Sequence, residues 1–137
     1  PVAEEEEKIV AETDAELIHV ELSAYYRMTT DQINVLIEAI ETAKLPMLLH
    51  CNHGVDRSGT AGGITKYLIG GATFDEAAKE AWVLPGPWKY KSGWHHISDV
   101  FKDFKAYCKE NNLDPDDREE FKKWARDVYD IPDHASQ

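Results

Sequence analysis

The stretch His50-Cys51-Asn52-His53-Gly54-Val55-Asp56-Arg57-Ser58-Gly59-Thr60 constrains this chain more than any other. Five residues separate the cysteine from the arginine, and Ser58-Gly59 follows at once. The apolar run Leu45-Pro46-Met47-Leu48-Leu49 comes before it, and a helix-like stretch comes after. That order predicts a strand, a tight loop and a helix N-terminus. Such a loop turns successive backbone N–H groups inward, and the helix dipole adds partial positive charge. A cysteine at its base ionises easily, because the loop dipoles and Arg57 stabilise the thiolate. A thiolate inside a phosphate-sized cradle, beside a fixed guanidinium, points to phosphate-ester cleavage through a phosphocysteine. The plainer reading, a buried cysteine at a strand end, leaves Arg57 and the loop glycine without a purpose.

Each residue of the loop then has a part. Cys51 attacks phosphorus as the thiolate. Arg57 holds two phosphate oxygens through its planar fork, and holds them best in the transition state. The N–H groups of Asn52, His53, Gly54, Val55, Asp56 and Arg57 cover the remaining oxygens. Gly54 suits close backbone approach or an unusual dihedral. Ser58 donates to the sulfur and favours its departure in the second step. His50 orients the loop through hydrogen bonds to its backbone. His53 either lines the rim or adds positive charge that favours a phosphorylated substrate.

Composition narrows the partners. The 137 residues carry a net charge of −11, which argues against nucleic acid and against anionic membrane faces. A local cradle still admits phosphorylated proteins or small phosphomonoesters. No apolar run approaches the length of a membrane span. The two cysteines, Cys51 and Cys108, demand no disulfide, and Cys108 falls on the apolar stripe of a predicted helix. The compartment is left open: cytoplasm first, periplasm or secretion as alternatives. The motif calls for no cofactor and no metal. His95-His96 lacks a carboxylate or cysteine at ligand spacing, so the pair is not read as a metal site.

Periodicity gives the remaining elements. Residues 2–13, with Glu4-Glu5-Glu6-Glu7, read as a surface helix. Glu16 to Leu22 reads as a strand and Met47-Leu48-Leu49 as a short buried one. Thr29 with Gln32 forms a capping-box pattern ahead of Ile33, Leu36, Ile37 and Ile40 at helical spacing. A helix runs from Ser58 to about Ile69 and stops at Gly70-Gly71. Thr73 with Glu76 repeats the capping pattern for a helix reaching Val83, and Pro85-Gly86-Pro87 opens a loop to Gly93. Ile97, Val100, Phe101, Phe104, Tyr107 and Cys108 describe an amphipathic helix ended by Asn111-Asn112. Asp116-Asp117 opens a last helix with Phe121, Trp124 and Val128 on one face, followed by a polar tail. Trp82, Trp88, Trp94 and Trp124 are assigned to packing.

His50, Cys51, Gly54, Arg57, Ser58 and Gly59 match the signature loop of the cysteine-dependent protein tyrosine phosphatase superfamily. The chain resembles its small dual-specificity-type members, especially bacterial ones with an Asp just before the Arg. The resemblance implies an α/β fold: a sheet flanked by helices, with the loop at a strand's C-terminal end. It implies one domain over 1–137, with a core of about 16–109 and a helical extension of about 114–131. Fifty residues precede Cys51, fewer than the family's usual order of strands needs. The sheet is therefore expected either to lack N-terminal strands or to be completed by another copy in a homo-oligomer.

The resemblance also implies an acid for the leaving oxygen, in most members an Asp on a separate upstream loop. The matching region, His19 to Ala24, holds no Asp. Two carboxylates remain: Asp56, which some branches such as the myotubularin-like ones place before the Arg, and Glu21. Asp56 could also brace the loop or pair with a nearby base, which would leave the acid to another residue or to none. Tyr25, Tyr26 and Arg27 are candidates for one wall of the pocket, Arg27 for a second anionic group. The implied activity is hydrolysis of phosphotyrosine or other phosphoprotein esters. The alternatives are an inositol phosphate or phosphoinositide phosphatase, a non-catalytic phosphate-binding module and a rhodanese-like sulfur carrier.

Overall fold

The computed structural model describes residues 2–82 and 96–132. Among them the chain forms six helices: α1 (Val2–Val10), α2 (Thr30–Thr42), α3 (Asp56–Leu68), α4 (Phe74–Trp82), α5 (Asp99–Asn111) and α6 (Arg118–Asp127). No strand occurs among the described residues. The α/β sheet expected from the loop motif is thus overturned: the described architecture is helical. The predicted strands over 16–22 and 47–49 are irregular chain. A strand is defined by its hydrogen-bonded neighbour, and neither segment has one here. Leu45 and Leu48 illustrate the point, being 69 % and 86 % exposed where a buried strand was expected. The turn at Pro85-Gly86-Pro87 and the residues His95, Trp88 and Trp94 lie outside the described residues.

The helices start and stop where local chemistry dictates. At α2, the Thr29 hydroxyl accepts the Gln32 N–H at 3.2 Å, and the Gln32 side chain accepts the Thr29 N–H at 3.0 Å. Thr73 and Glu76 repeat this reciprocal pair at 3.2 and 2.9 Å ahead of α4. Asp117 caps α6 by accepting the N–H groups of Glu119 and Glu120. Asn112 ends α5 in the left-handed region, at φ 53°.

The core is aromatic. Tyr67 of α3, Phe74 of α4, Phe104 of α5 and Phe121 of α6 are fully buried and meet edge to face, with centroids 5.0–5.5 Å apart in the closest pairs. Ile33, Leu36, Ile37 and Ile40 of α2 join them, as the periodicity predicts. Val128 does not: it lies at the α6 C-terminus, 45 % exposed, and Ala125 and Tyr129 take the buried places instead.

Helix α3 runs through the middle of this core, and its small residues permit close approach. A Cβ placed on Gly63 would lie 2.6 Å from the Ala77 carbonyl oxygen of α4 and 3.0 Å from the Phe101 ring. Gly63→Ala is therefore expected to lower stability. The gain in helix propensity is about 1 kcal/mol. Overpacking against a backbone oxygen costs about 1–3 kcal/mol and prevails, because α4 cannot yield without repacking Phe74. Denaturant unfolding would read the difference; equal or raised stability would mean that the two helices are not in this contact.

The far end of α3 is clasped from α6. Arg118 donates to the Tyr67 carbonyl at 2.6 Å and to the Ala72 carbonyl at 2.9 Å, with its guanidinium 5.2 Å from the Tyr67 ring centroid. The residues after α6 reach back to the start of α2. The Tyr129 hydroxyl donates to the Met28 carbonyl at 2.7 Å. The Thr30 hydroxyl donates to the Tyr129 carbonyl at 2.8 Å, and the Thr30 and Ile131 backbones close the ring. None of the helices among the described residues is long and apolar enough to cross a membrane.

Candidate functional site

Residues 50–58 make the site's floor. Gly54 sits at φ +66°, in the left-handed region where a side chain would be strained, and lets the chain double back above Cys51. Val55 follows as the residue before α3, and its carbonyl accepts the Gly59 N–H at 2.9 Å to start the helix. Asp56 and Arg57 are consequently the first two residues of α3, and Ser58 the third.

Cys51 is half-buried, and its sulfur lies 3.4 Å from the Ser58 hydroxyl. Burial alone pushes the thiol up. The Ser58 hydroxyl and the backbone N–H groups of Ser58, His53 and Gly54 act in the opposite direction and outweigh it, holding the thiol down to about 6. At neutral pH the sulfur is therefore an anion. Cys108 is the opposite case: buried in the core, its thiol is pushed up by burial and then by the charges of Asp114, Glu120 and Asp117.

A cavity of about 410 Å³ opens over the sulfur, lined by Leu22, Ser23, Ala24, Tyr25, Cys51, His53, Asp56 and Arg57. The volume falls within the range of small-molecule sites. Arg57 is half-buried, and its Nε is buried with no hydrogen-bond partner among the described residues. A buried guanidinium Nε with no acceptor among the described residues, in a cavity shared with a thiolate, is suited to an anionic ligand.

Of the loop residues, Cys51, His53, Asp56 and Arg57 line the cavity, and Ser58 touches the sulfur. Asn52 is exposed, its amide 3.5 Å from the His53 ring. Val55 contributes its backbone. The His50 ring bonds Glu6 of α1, at 2.6 Å, rather than the loop's own backbone. Glu21 is exposed, and the lining from its segment comes from Leu22 to Tyr25 instead. Tyr25 stands at the mouth, 73 % exposed. Arg27 is not among the residues lining the cavity, and its guanidinium pairs with Asp103 of α5.

One residue was missed from the sequence. His96, just before α5, brings its Nε2 to 2.9 Å from the Asp56 carboxylate. The two are 40 positions apart, and no local spacing announces the pair. Among the described residues no cluster of three metal-ligating side chains occurs. In comparison with known proteins, no family model, no curated protein and no solved structure matches the chain.

Proposed function

We propose that the chain hydrolyses phosphomonoesters through a phosphocysteine at Cys51, with phosphotyrosine-type esters of a phosphoprotein or small molecule as substrates. The observation that carries this reading is the Cys51 thiol held down to about 6 at the base of a cavity it shares with Arg57. The reading rests on the site and not on the fold, since the same chemistry recurs on unrelated architectures.

The thiolate attacks phosphorus in line with the ester oxygen, and the P–O bond breaks as the S–P bond forms. Arg57 and the loop N–H groups take up the charge on the equatorial oxygens. Asp56, on the cavity wall, gives its proton to the departing oxygen and then takes one from the water that cleaves the S–P bond. The Ser58 hydroxyl stabilises the sulfur as it leaves with the electron pair.

The test combines turnover and labelling. With chelator present, the protein is expected to release phosphate from a phosphotyrosine peptide, and inorganic phosphate should slow iodoacetamide alkylation of Cys51. The alkylation rate should rise with pH through about 6, because only the thiolate reacts. Ser58→Ala should move that inflection upward, since it deletes a donor to the sulfur. Absence of turnover across phosphotyrosine, phosphoserine and inositol phosphate substrates would overturn the proposal.

A further inference from the structure

The cavity has two unlike walls. On one side stand Cys51, His53, Asp56 and Arg57. On the other, Leu22, Ser23, Ala24 and Tyr25 carry no charge. A phosphoryl group seated against Cys51 and Arg57 leaves the alcohol part of its ester to the uncharged wall, where apolar carbon and an aromatic ring can pack against it.

That wall is a short span between two anchors. At its front, Leu22 packs against the hydrophobic core. Within it, the Ser23 hydroxyl accepts the Tyr25 N–H at 3.2 Å, a local turn. Behind it, Met28 is buried, and its carbonyl accepts the Tyr129 hydroxyl at 2.7 Å. Between Tyr25 and Met28, the Arg27 guanidinium pairs with Asp103 of α5. The two side chains are only 23 % and 24 % exposed, and Arg27 Nε is buried, so this pair is not a loose surface bridge. Burial works against the Arg27 charge, and the hydrogen bond and charge of Asp103 outweigh it.

Asp103 belongs to a helix that also reaches the other wall. One turn earlier on α5, the Asp99 carboxylate accepts the His96 backbone N–H at 3.0 Å, and the His96 ring lies 2.9 Å from Asp56. Side chains four apart on a helix are held about 5–6 Å from each other at Cβ. The first two turns of α5 thus connect the segment behind Tyr25 to the first turn of α3.

We propose that the Arg27–Asp103 pair positions the Leu22–Tyr25 wall, holding it at the separation from Cys51 that admits the alcohol part of the substrate; the assignment rests on the phosphatase reading above. Neither residue lines the cavity, so both act through Tyr25 and its neighbours. A guanidinium left unpaired in this partly buried place would turn out to water, and the chain two residues from Tyr25 would follow it.

The experiment compares the wild type with Asp103→Asn, which keeps the shape and removes the charge, and with the swap of Arg27→Asp and Asp103→Arg. In Asp103→Asn, KM for a phosphotyrosine peptide should rise about tenfold or more, with kcat changed by less than about twofold. The concentration of inorganic phosphate that protects Cys51 from iodoacetamide should stay in place, because phosphate has no alcohol part to meet the wall. The swap should recover most of the KM, since it restores the pair. An unchanged KM, an equal loss of phosphate protection, or no recovery in the swap would each overturn the proposal. Tighter peptide binding in Asp103→Asn would also overturn it, by showing that Asp103 withholds Arg27 from the ligand. If neither variant folds, Cys51→Ser decides. On adding the peptide to it, the NMR signals of Tyr25 should move and those of the Arg27 guanidinium should not; the reverse would place Arg27 on the ligand and exclude a positioning role. A wild-type protein with no Cys51-dependent turnover sinks the phosphatase reading and this assignment with it. Normal turnover with an unchanged KM in Asp103→Asn sinks this assignment alone.

Discussion

Cys51→Ser is expected to abolish phosphate release while leaving phosphate binding in place. The substitution changes one atom, and everything that tunes the site was built around the atom removed. A sulfur held at about 6 is ionised at neutral pH. A serine hydroxyl in its place is not, because the donors that suffice to ionise a thiol fall far short for an alcohol. Loss of the nucleophile in a covalent catalyst costs on the order of a millionfold. Arg57, Gly54 and the loop N–H groups stay where they are, so titration with inorganic phosphate should give an affinity near that of the wild type, or higher for want of the opposing thiolate charge. Retained turnover in Cys51→Ser would mean that another group makes the attack. Lost turnover together with lost phosphate affinity would mean that the substitution collapses the loop.

The second large effect belongs to Arg57→Ala. The guanidinium stands on the first turn of α3, and its buried Nε has no hydrogen-bond partner among the described residues. Removing one donor from a preorganised anion site costs about a hundredfold to a thousandfold in kcat. A bidentate arginine supplies two, so the loss should lie at or above the top of that range. Arg57→Lys should recover little, because a point charge cannot span two oxygens. The leaving-group pattern separates this role from that of Asp56. Arg57 acts on the phosphoryl oxygens, so aryl and alkyl esters should suffer alike. Phosphate should also protect Cys51 poorly from alkylation in this variant. A loss confined to alkyl esters would place Arg57 with the acid rather than with the phosphoryl group.

Local grammar was readable in the sequence, and long-range geometry was not. The Thr29–Gln32 and Thr73–Glu76 boxes needed only four consecutive residues each to be recognised, and both are formed. The stripe Ile33, Leu36, Ile37, Ile40 is periodic and is buried. Cys51 and Ser58 are only seven positions apart, so the sequence could suggest that the two lie close together. The expected strands failed for the converse reason. Leu45 to Leu49 is apolar and short enough for a buried strand, but a ladder needs a second segment, and no pattern within the run reveals whether one is there. Leu48, nearly fully exposed, shows that apolar content alone did not decide burial. Val128 followed the helical period, yet the helix ends beneath it and turns it outward. The sequence does not mark the His95-His96 pair as a metal site, and it assigns no other role to His96. Its ring is committed to Ser98 and Asp56, a link that only the docking of α5 against α3 creates.

The ring that joins Thr30 to Tyr129 and Ile131 has a consequence for how this molecule comes into being. Those contacts close loops of 99 and 101 residues. The Tyr129 hydroxyl holds Met28 across 101 residues, a few positions beyond the pocket wall at Leu22 to Tyr25. During synthesis Cys51 and Arg57 emerge long before Tyr129 does. A growing chain that already contains Cys51 still lacks the clasp on Met28 and Thr30. Closing such long loops carries an entropic cost that must be met before the contacts return it, which makes this a late event in folding. The thiol is thus synthesised early, while the clasp that ties Met28 and Thr30 to the residues behind α6 closes late.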